Sequence, residues 1–238
     1  MKHGEVRSSI GQSTWKKLGL FCVVLCASVA TFGSSPTIIN ADFSAVTIVC
    51  GGGYSYQSLG GDCNSIPPQQ DFNSAPGFGW TFVTAGGSGL AGPTGFDTPS
   101  FSGLPFSQAV FLQGNGNPID QTIGFTAAGS YVLTFYLGSR YRGGLTDGNQ
   151  TVEALIDNTP IGTWSLSSFT PFTLESVPFT IIAGGAHTLE FVGLASGDHT
   201  AFFSGVAITQ PVPEPSTIGL LVGPALLGLR AFKRRQSH

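Results

Sequence analysis

Between residues 31 and 215 the sequence has no lysine, no methionine and only two arginines, Arg140 and Arg142. Twelve acidic residues face them, so this stretch carries a formal net charge of −10. A surface that neutralises phosphates needs clustered cations, which excludes nucleic acid and anionic lipid as partners. Histidine is equally scarce, with only His187 and His199 in the same stretch. There is no Gly-x-Ser-x-Gly elbow, His-Glu-x-x-His or phosphate-binding loop. Residues 36–210 show no amphipathic helical period, and no repeat of fixed length runs through the chain. Neither a cofactor nor a metal is implied; the acidic surface could attract divalent cations, but no ligand set indicates even a structural calcium ion.

The cations are at the two ends. Lys2, Arg7, Lys16 and Lys17 stand against the single acid Glu5 and precede an unbroken apolar run over 18–30. A basic start, about 13 apolar residues and the small-x-small exit Ser28-Val29-Ala30 predict a secretory signal peptide over 1–30, engaging the Sec translocon. The run is short for a permanent span, which takes about 20 residues. Cys22 and Cys26 lie inside it, but Phe21 and Leu25 precede them where a lipoprotein would have a small residue.

At the other end Val212-Pro213-Glu214-Pro215 leads into an apolar stretch over 218–229, followed by Arg230, Lys233, Arg234 and Arg235. An apolar helix with a basic flank orients so that the preceding domain lies outside the cytoplasm. Gly219, Gly223, Pro224 and Gly228 loosen this segment, which suits a temporary anchor. The three-part tail over 210–238 resembles the PEP-CTERM sorting signal of Gram-negative bacteria. The resemblance implies an exosortase, a membrane cysteine protease, as partner. It also implies transient residence in the inner membrane, cleavage near Pro213-Glu214-Pro215 and transfer to the cell surface of an exopolysaccharide-producing cell.

The stretch between the ends, 31–209, is long enough for one domain with its own core. Cys50 and Cys63 are its only cysteines; in an oxidising compartment they are expected to form a disulfide, worth roughly 3 kcal/mol for a loop of that size. Glycine (34) and phenylalanine (19) are abundant, which favours short strands and tight turns. Over 130–137, Tyr131, Leu133, Phe135 and Leu137 alternate with Val132, Thr134 and Tyr136, the period of a strand. Further strands are expected over 150–156, 161–166, 174–182, 187–194 and 201–209, with Pro178 marking an edge or bulge. Weaker candidates are 45–50, 79–84, 109–113 and 121–126, while 51–92 reads as mostly loop. The pattern predicts an all-β antiparallel sandwich, a jelly roll.

The order Val110-Phe-Leu-Gln-Gly, Ala128-Gly-Ser-Tyr-Val-Leu-Thr-Phe-Tyr, Arg140, Asn149-Gln-Thr-Val-Glu, Ile156-Asp, Ala183-Gly-Gly-Ala-His-Thr-Leu-Glu-Phe and Thr200-Ala-Phe resembles galactose-binding-like jelly rolls. This likeness implies a carbohydrate-binding role. The chain departs from it at Phe202-Phe203-Ser204-Gly205-Val206, where such domains often carry an acid.

With so few catalytic groups the sequence favours a binding protein over an enzyme. Sugars are held by aromatic faces and planar polar side chains, and one loop concentrates them: Arg140, Tyr141, Arg142, Asp147, Asn149 and Gln150. Arg140 has a second reading, an internal ion pair with Glu153 across a hairpin. Trp80 and Trp164 are expected in the core, His187 as a structural imidazole and His199 in a solvated turn. A glycosidase would need two carboxylates, drawn from Asp147, Glu153, Asp157, Glu175 and Glu190, about 5–10 Å apart in a cleft. The sequence therefore predicts an exported surface or matrix protein that binds carbohydrate or exopolysaccharide. A purely structural surface protein is the second reading and a glycan hydrolase the third.

Overall fold

The structure is a computed structural model that describes residues 34–59, 63–83, 87–141 and 147–211. The signal segment 1–30, Arg142, the motif Val212, Pro213, Glu214 and Pro215, and the tail cations Arg230, Lys233, Arg234 and Arg235 lie outside the described residues.

Twelve strands follow one another without a helix among the described residues: β1 (Tyr54–Gln57), β2 (Gln69–Gln70), β3 (Thr81–Phe82), β4 (Ser88–Ala91), β5 (Ala109–Gln113), β6 (Ile119–Phe125), β7 (Gly129–Ser139), β8 (Thr151–Ile156), β9 (Thr159–Ser165), β10 (Thr173–Ile181), β11 (Gly185–Gly193) and β12 (Thr200–Thr209). They form a seven-stranded sheet, β10-β7-β12-β5-β4-β1-β2, and a five-stranded sheet, β3-β6-β11-β8-β9. Pairing is antiparallel throughout, except where β1 meets β2. Taken alone, β5 to β12 run β5-β12-β7-β10 in one sheet and β6-β11-β8-β9 in the other. Eight strands in two such Greek keys make a jelly roll.

The alternation in β7 builds the core. Tyr131, Leu133, Phe135 and Leu137 are wholly buried and meet Leu189 and Phe191 of β11, Ile119 and Ile123 of β6 and Phe203 of β12 in one apolar cluster. Phe191 and Phe203 stack between the sheets with centroids 4.3 Å apart. Each such side chain contributes about 1.5–3 kcal/mol on leaving water. Trp80 is buried here too, donating its indole N–H to the Asn40 carbonyl; Trp164 is half-buried, edge-on to Phe135 at 4.9 Å. Pro178 lies in β10, an edge strand, where a missing N–H costs no ladder bond.

The seven-stranded sheet also buries part of its other face. Tyr56, Ala91, Ala109, Phe111 and Phe202 form a second cluster there, covered by Phe96 and Phe101 of the long β4–β5 connection. Gly89 makes this possible, since any Cβ on it would strike the Ser55 carbonyl and the Phe111 ring.

Two expectations need correction. The stretch 45–50 is not a strand, because its backbone takes partners from a side chain: Gln70 accepts from Val49 N–H and donates to the Thr47 carbonyl. The segment 51–92, expected to be mostly loop apart from a strand over 79–84, contains β1, β2 and β4 as well as the expected strand, β3. Its strands lack alternation because β4 is buried on both faces.

Candidate functional site

The jelly roll gathers the C-terminal end of β7 and the start of β12 at one end of the sandwich, where Ala201 pairs with Ser139. Four connections meet there, tied by backbone hydrogen bonds. Tyr141 N–H donates to the Asp97 carbonyl (2.9 Å), Phe169 N–H to the Arg140 carbonyl (3.1 Å), Arg140 N–H to the Thr200 carbonyl (3.1 Å) and Thr200 N–H to the Asp147 carbonyl (2.6 Å). Gly148 lets the β7–β8 and β9–β10 connections touch, because a Cβ would collide with the Arg140 carbonyl and with Ser168.

Arg140 is the hub of this end and is only 7% exposed. Its Nε lies 3.4 Å from Asp97 Oδ2, its Nη1 donates to Asp198 Oδ1 at 3.1 Å, and its Cζ sits 4.1 Å from the Phe96 ring centre. The internal ion pair is therefore present, but not with Glu153. β7 and β8 are no hairpin; they belong to different sheets, and Glu153 instead accepts from the Thr163 hydroxyl across β8 and β9. Asp198 also accepts from the Gln113 side-chain amide, whose Oε1 in turn accepts from the Tyr56 hydroxyl at 2.5 Å. Burial first, and the Asp198 charge second, push the Tyr56 phenol up to about 12, so it stays a neutral donor.

The loop residues singled out from sequence divide into inward and outward groups. Gln150 faces inward: it donates to the carbonyls of Gly114 and His199 and accepts from the N–H groups of Thr151 and Ala195. That binds three connections together and leaves it buried. Asn149 is exposed and accepts from Ser168 N–H. Asp147 is half-buried, with its carbonyl on Thr200. Tyr141 is 50% exposed.

Sequence reasoning did not find Phe169. It is 60% exposed, and its ring centre lies 4.0 Å from that of Tyr141, tilted by 49°. Its backbone holds φ at +66°, an uncommon conformation for a bulky residue. Holding an exposed phenylalanine in such a conformation is costly for a fold with no use for it. The available signal was a large aromatic inside the polar run Ser167-Ser168-Phe169-Thr170. Asp97 and Asp198, with side chains 47% and 53% exposed, edge the same end.

Other candidates lie elsewhere. His187, at the opposite end, is hydrogen-bonded to Asp157 (Nδ1 to Oδ2, 2.6 Å) and faces the Ala183 carbonyl (Nε2, 2.9 Å). The Asp157 hydrogen bond, then the carbonyl, hold its pKa above 6.5. His199 contributes its backbone carbonyl to Gly114 and Gln150. Of the carboxylates proposed for hydrolysis, Glu190 faces Asp120 across β6 and β11 on the outward side of the five-stranded sheet. Burial raises the pKa of both, and Asp120 and Glu153 add to the rise at Glu190. Glu175 accepts from the Thr173 hydroxyl. No group of three metal-ligating side chains occurs among the described residues. Cys50 and Cys63 are disulfide-bonded, with Cα atoms 4.8 Å apart.

No protein-family model matches the chain, and no curated protein matches it. Solved structures do. A Stig cyclase from Fischerella sp. TAU, in complex with an indole compound, is 15% identical over 77% of this chain and 100% of its own, with a TM-score of 0.51. A carbohydrate-binding module of Cellvibrio mixtus lichenase 5A, in complex with cellotriose, is 13% identical over 55% of this chain and 92% of its own (TM-score 0.40). A family 35 carbohydrate-binding module from Paenibacillus barcinonensis is 14% identical over 56% and 94% (TM-score 0.38). At these identities the likeness is one of fold: the chain is an all-β, two-sheet protein of the jelly-roll kind.

Proposed function

We propose that the protein is an exported, exosortase-sorted surface or matrix protein that binds carbohydrate through the loop end around Tyr141. The observation that carries the binding role is the exposed Tyr141–Phe169 pair. Two rings held in place by backbone hydrogen bonds to Asp97 and Arg140 offer a preorganised apolar face, so a sugar that stacks there orders little of the protein. Arg140 acts as a positioning residue: its backbone carbonyl holds Phe169, and its side chain meets Asp97, whose carbonyl holds Tyr141. Sorting is supported by the Val212-Pro213-Glu214-Pro215 tail, and export by the signal-like start and by the disulfide. A glycan array probed with the purified protein and with Tyr141→Ala tests the binding role. Retained signal on glycans in the unaltered protein and its loss in the variant are expected; no glycan signal from the unaltered protein would end the reading.

A further inference from the structure

The connection that carries Phe96 and Asp97 rests on β1, and β1 lies inside the loop closed by Cys50 and Cys63. Gly92 N–H donates to the Gly53 carbonyl at 2.7 Å. The Phe96 ring stacks on Tyr54 with centres 4.9 Å apart and stands edge-on to Tyr56 at 5.7 Å. The Tyr56 hydroxyl donates to Gln113, which donates to Asp198, which also accepts from Arg140. Ring stack and relay converge, because Phe96 also packs against the Arg140 guanidinium. The backbones of Asp97 and Arg140 are those that hold Tyr141 and Phe169. β1 itself is lightly held. It pairs with β4 at three positions and with β2 at two, and β2 is the edge of the sheet. So few ladder bonds leave a strand open to local unfolding. The disulfide closes the chain on both sides of that strand and so restricts its open states.

We propose that the Cys50–Cys63 disulfide governs the order of the Tyr141–Phe169 pair through β1, with Tyr56 as the positioning residue between them. Joined, the cysteines keep Tyr54 and Tyr56 against Phe96 and Gln113; reduced, they release β1 and loosen the aromatic end. For its functional meaning the inference rests on the glycan-binding reading above: the binding end is completed only when the two thiols are oxidised. The reverse step is thiol–disulfide exchange with a dithiol. The dithiol passes two electrons and two protons to the Cys50–Cys63 bond, leaving two thiols, and its own sulfurs close into a disulfide.

Amide hydrogen exchange of the full secreted protein tests the linkage without a ligand. The reporters are the Tyr141 and Phe169 N–H groups, which donate to Asp97 and Arg140. With the disulfide intact, Tyr56→Phe is expected to speed exchange at both about tenfold, the worth of one buried hydrogen bond. In a Cys50→Ser/Cys63→Ser background both reporters should already be fast, and adding Tyr56→Phe should change them by less than about twofold. An equal effect of Tyr56→Phe in the two backgrounds would show that disulfide and relay act independently, and would overturn the inference. Failure of the serine variant to melt cooperatively would make the disulfide a requirement of the whole fold and would also overturn it. On a glycan bound through Tyr141, a dithiol should weaken binding of the unaltered protein about tenfold, as the competent fraction falls, and leave the serine variant unaffected. Undiminished glycan affinity after complete reduction would overturn the functional linkage. Absence of any glycan binding would end the glycan reading, with the exchange cycle still deciding whether the disulfide orders the aromatic pair.

Discussion

The guanidinium of Arg140 lies 4.1 Å from the centre of the Phe96 ring, and that contact holds a segment its own backbone disfavours. Phe96 and Asp97 both have positive φ, +57° and +51°, a conformation that costs of order 1 kcal/mol or more for a residue with a side chain. Arg140→Ala removes the ring contact and both ion pairs at once. A fully buried charge left alone costs about 3–5 kcal/mol, but Asp97 and Asp198 are half in water and can be solvated. We expect a loss of about 2 kcal/mol, measured by urea unfolding, with Arg140→Lys intermediate because it lacks the planar fork. An Arg140→Ala protein as stable as the parent would show that the clamp holds nothing.

Phe169→Gly separates stability from binding. Glycine relieves the positive φ, and a side chain 60% exposed gives up little burial. The variant should melt at or above the parent temperature while its glycan affinity falls by about tenfold. A lower melting temperature with unchanged affinity would make Phe169 a structural residue.

The His187–Asp157 pair predicts how stability follows pH. Both ring nitrogens face acceptors, the Asp157 carboxylate and the Ala183 carbonyl, which only the doubly protonated ring satisfies. The folded pKa of His187 is raised, so its contribution is complete below the unfolded value, about 6.5, and fades as pH climbs through the folded one. Asp157 is shifted down, first by the Thr188 N–H and then by His187; its contribution fades as pH falls through that lowered value. The His187 ring resonances should titrate above 6.5, and His187→Gln should flatten the alkaline side of the stability profile. A midpoint at or below 6.5 would contradict this.

Non-reducing peptide mapping should recover a single peptide pair joined through Cys50 and Cys63. Replacing both with serine should cost about 3 kcal/mol, set by the length of loop closed. Two alkylatable thiols in the folded protein, expressed in an oxidising compartment, would refute the pairing.

Intact mass of protein from the cell surface should lack both the signal segment and the basic tail. Surface-exposed protein that still carries Arg230, Lys233, Arg234 and Arg235 would argue against exosortase processing.

Legibility in the sequence followed burial on one face. β7 displays its alternation because one side meets the core and the other is less buried, and Pro178 marked β10 as an edge for a local reason. β1 and β4, Tyr-Ser-Tyr-Gln and Ser-Gly-Leu-Ala, gave no such signal, because core on one side and the second aromatic cluster on the other erase the alternation. Tyr141 stood out by its neighbours in sequence. The partners of Arg140 did not, since Asp198 lies 58 residues away and arrives only when the Greek keys close.

β12 begins beside Ser139 and finishes with Thr209 opposite Val132, so the chain leaves the sandwich at the end remote from Tyr141 and Phe169. The intervening length of β7 is about 23 Å at the usual rise of a strand. Anything tethered through the residues after Gln210 would therefore hold the aromatic pair pointing away from its attachment. The sandwich would serve as a spacer, holding the two rings about one strand length from the point of attachment.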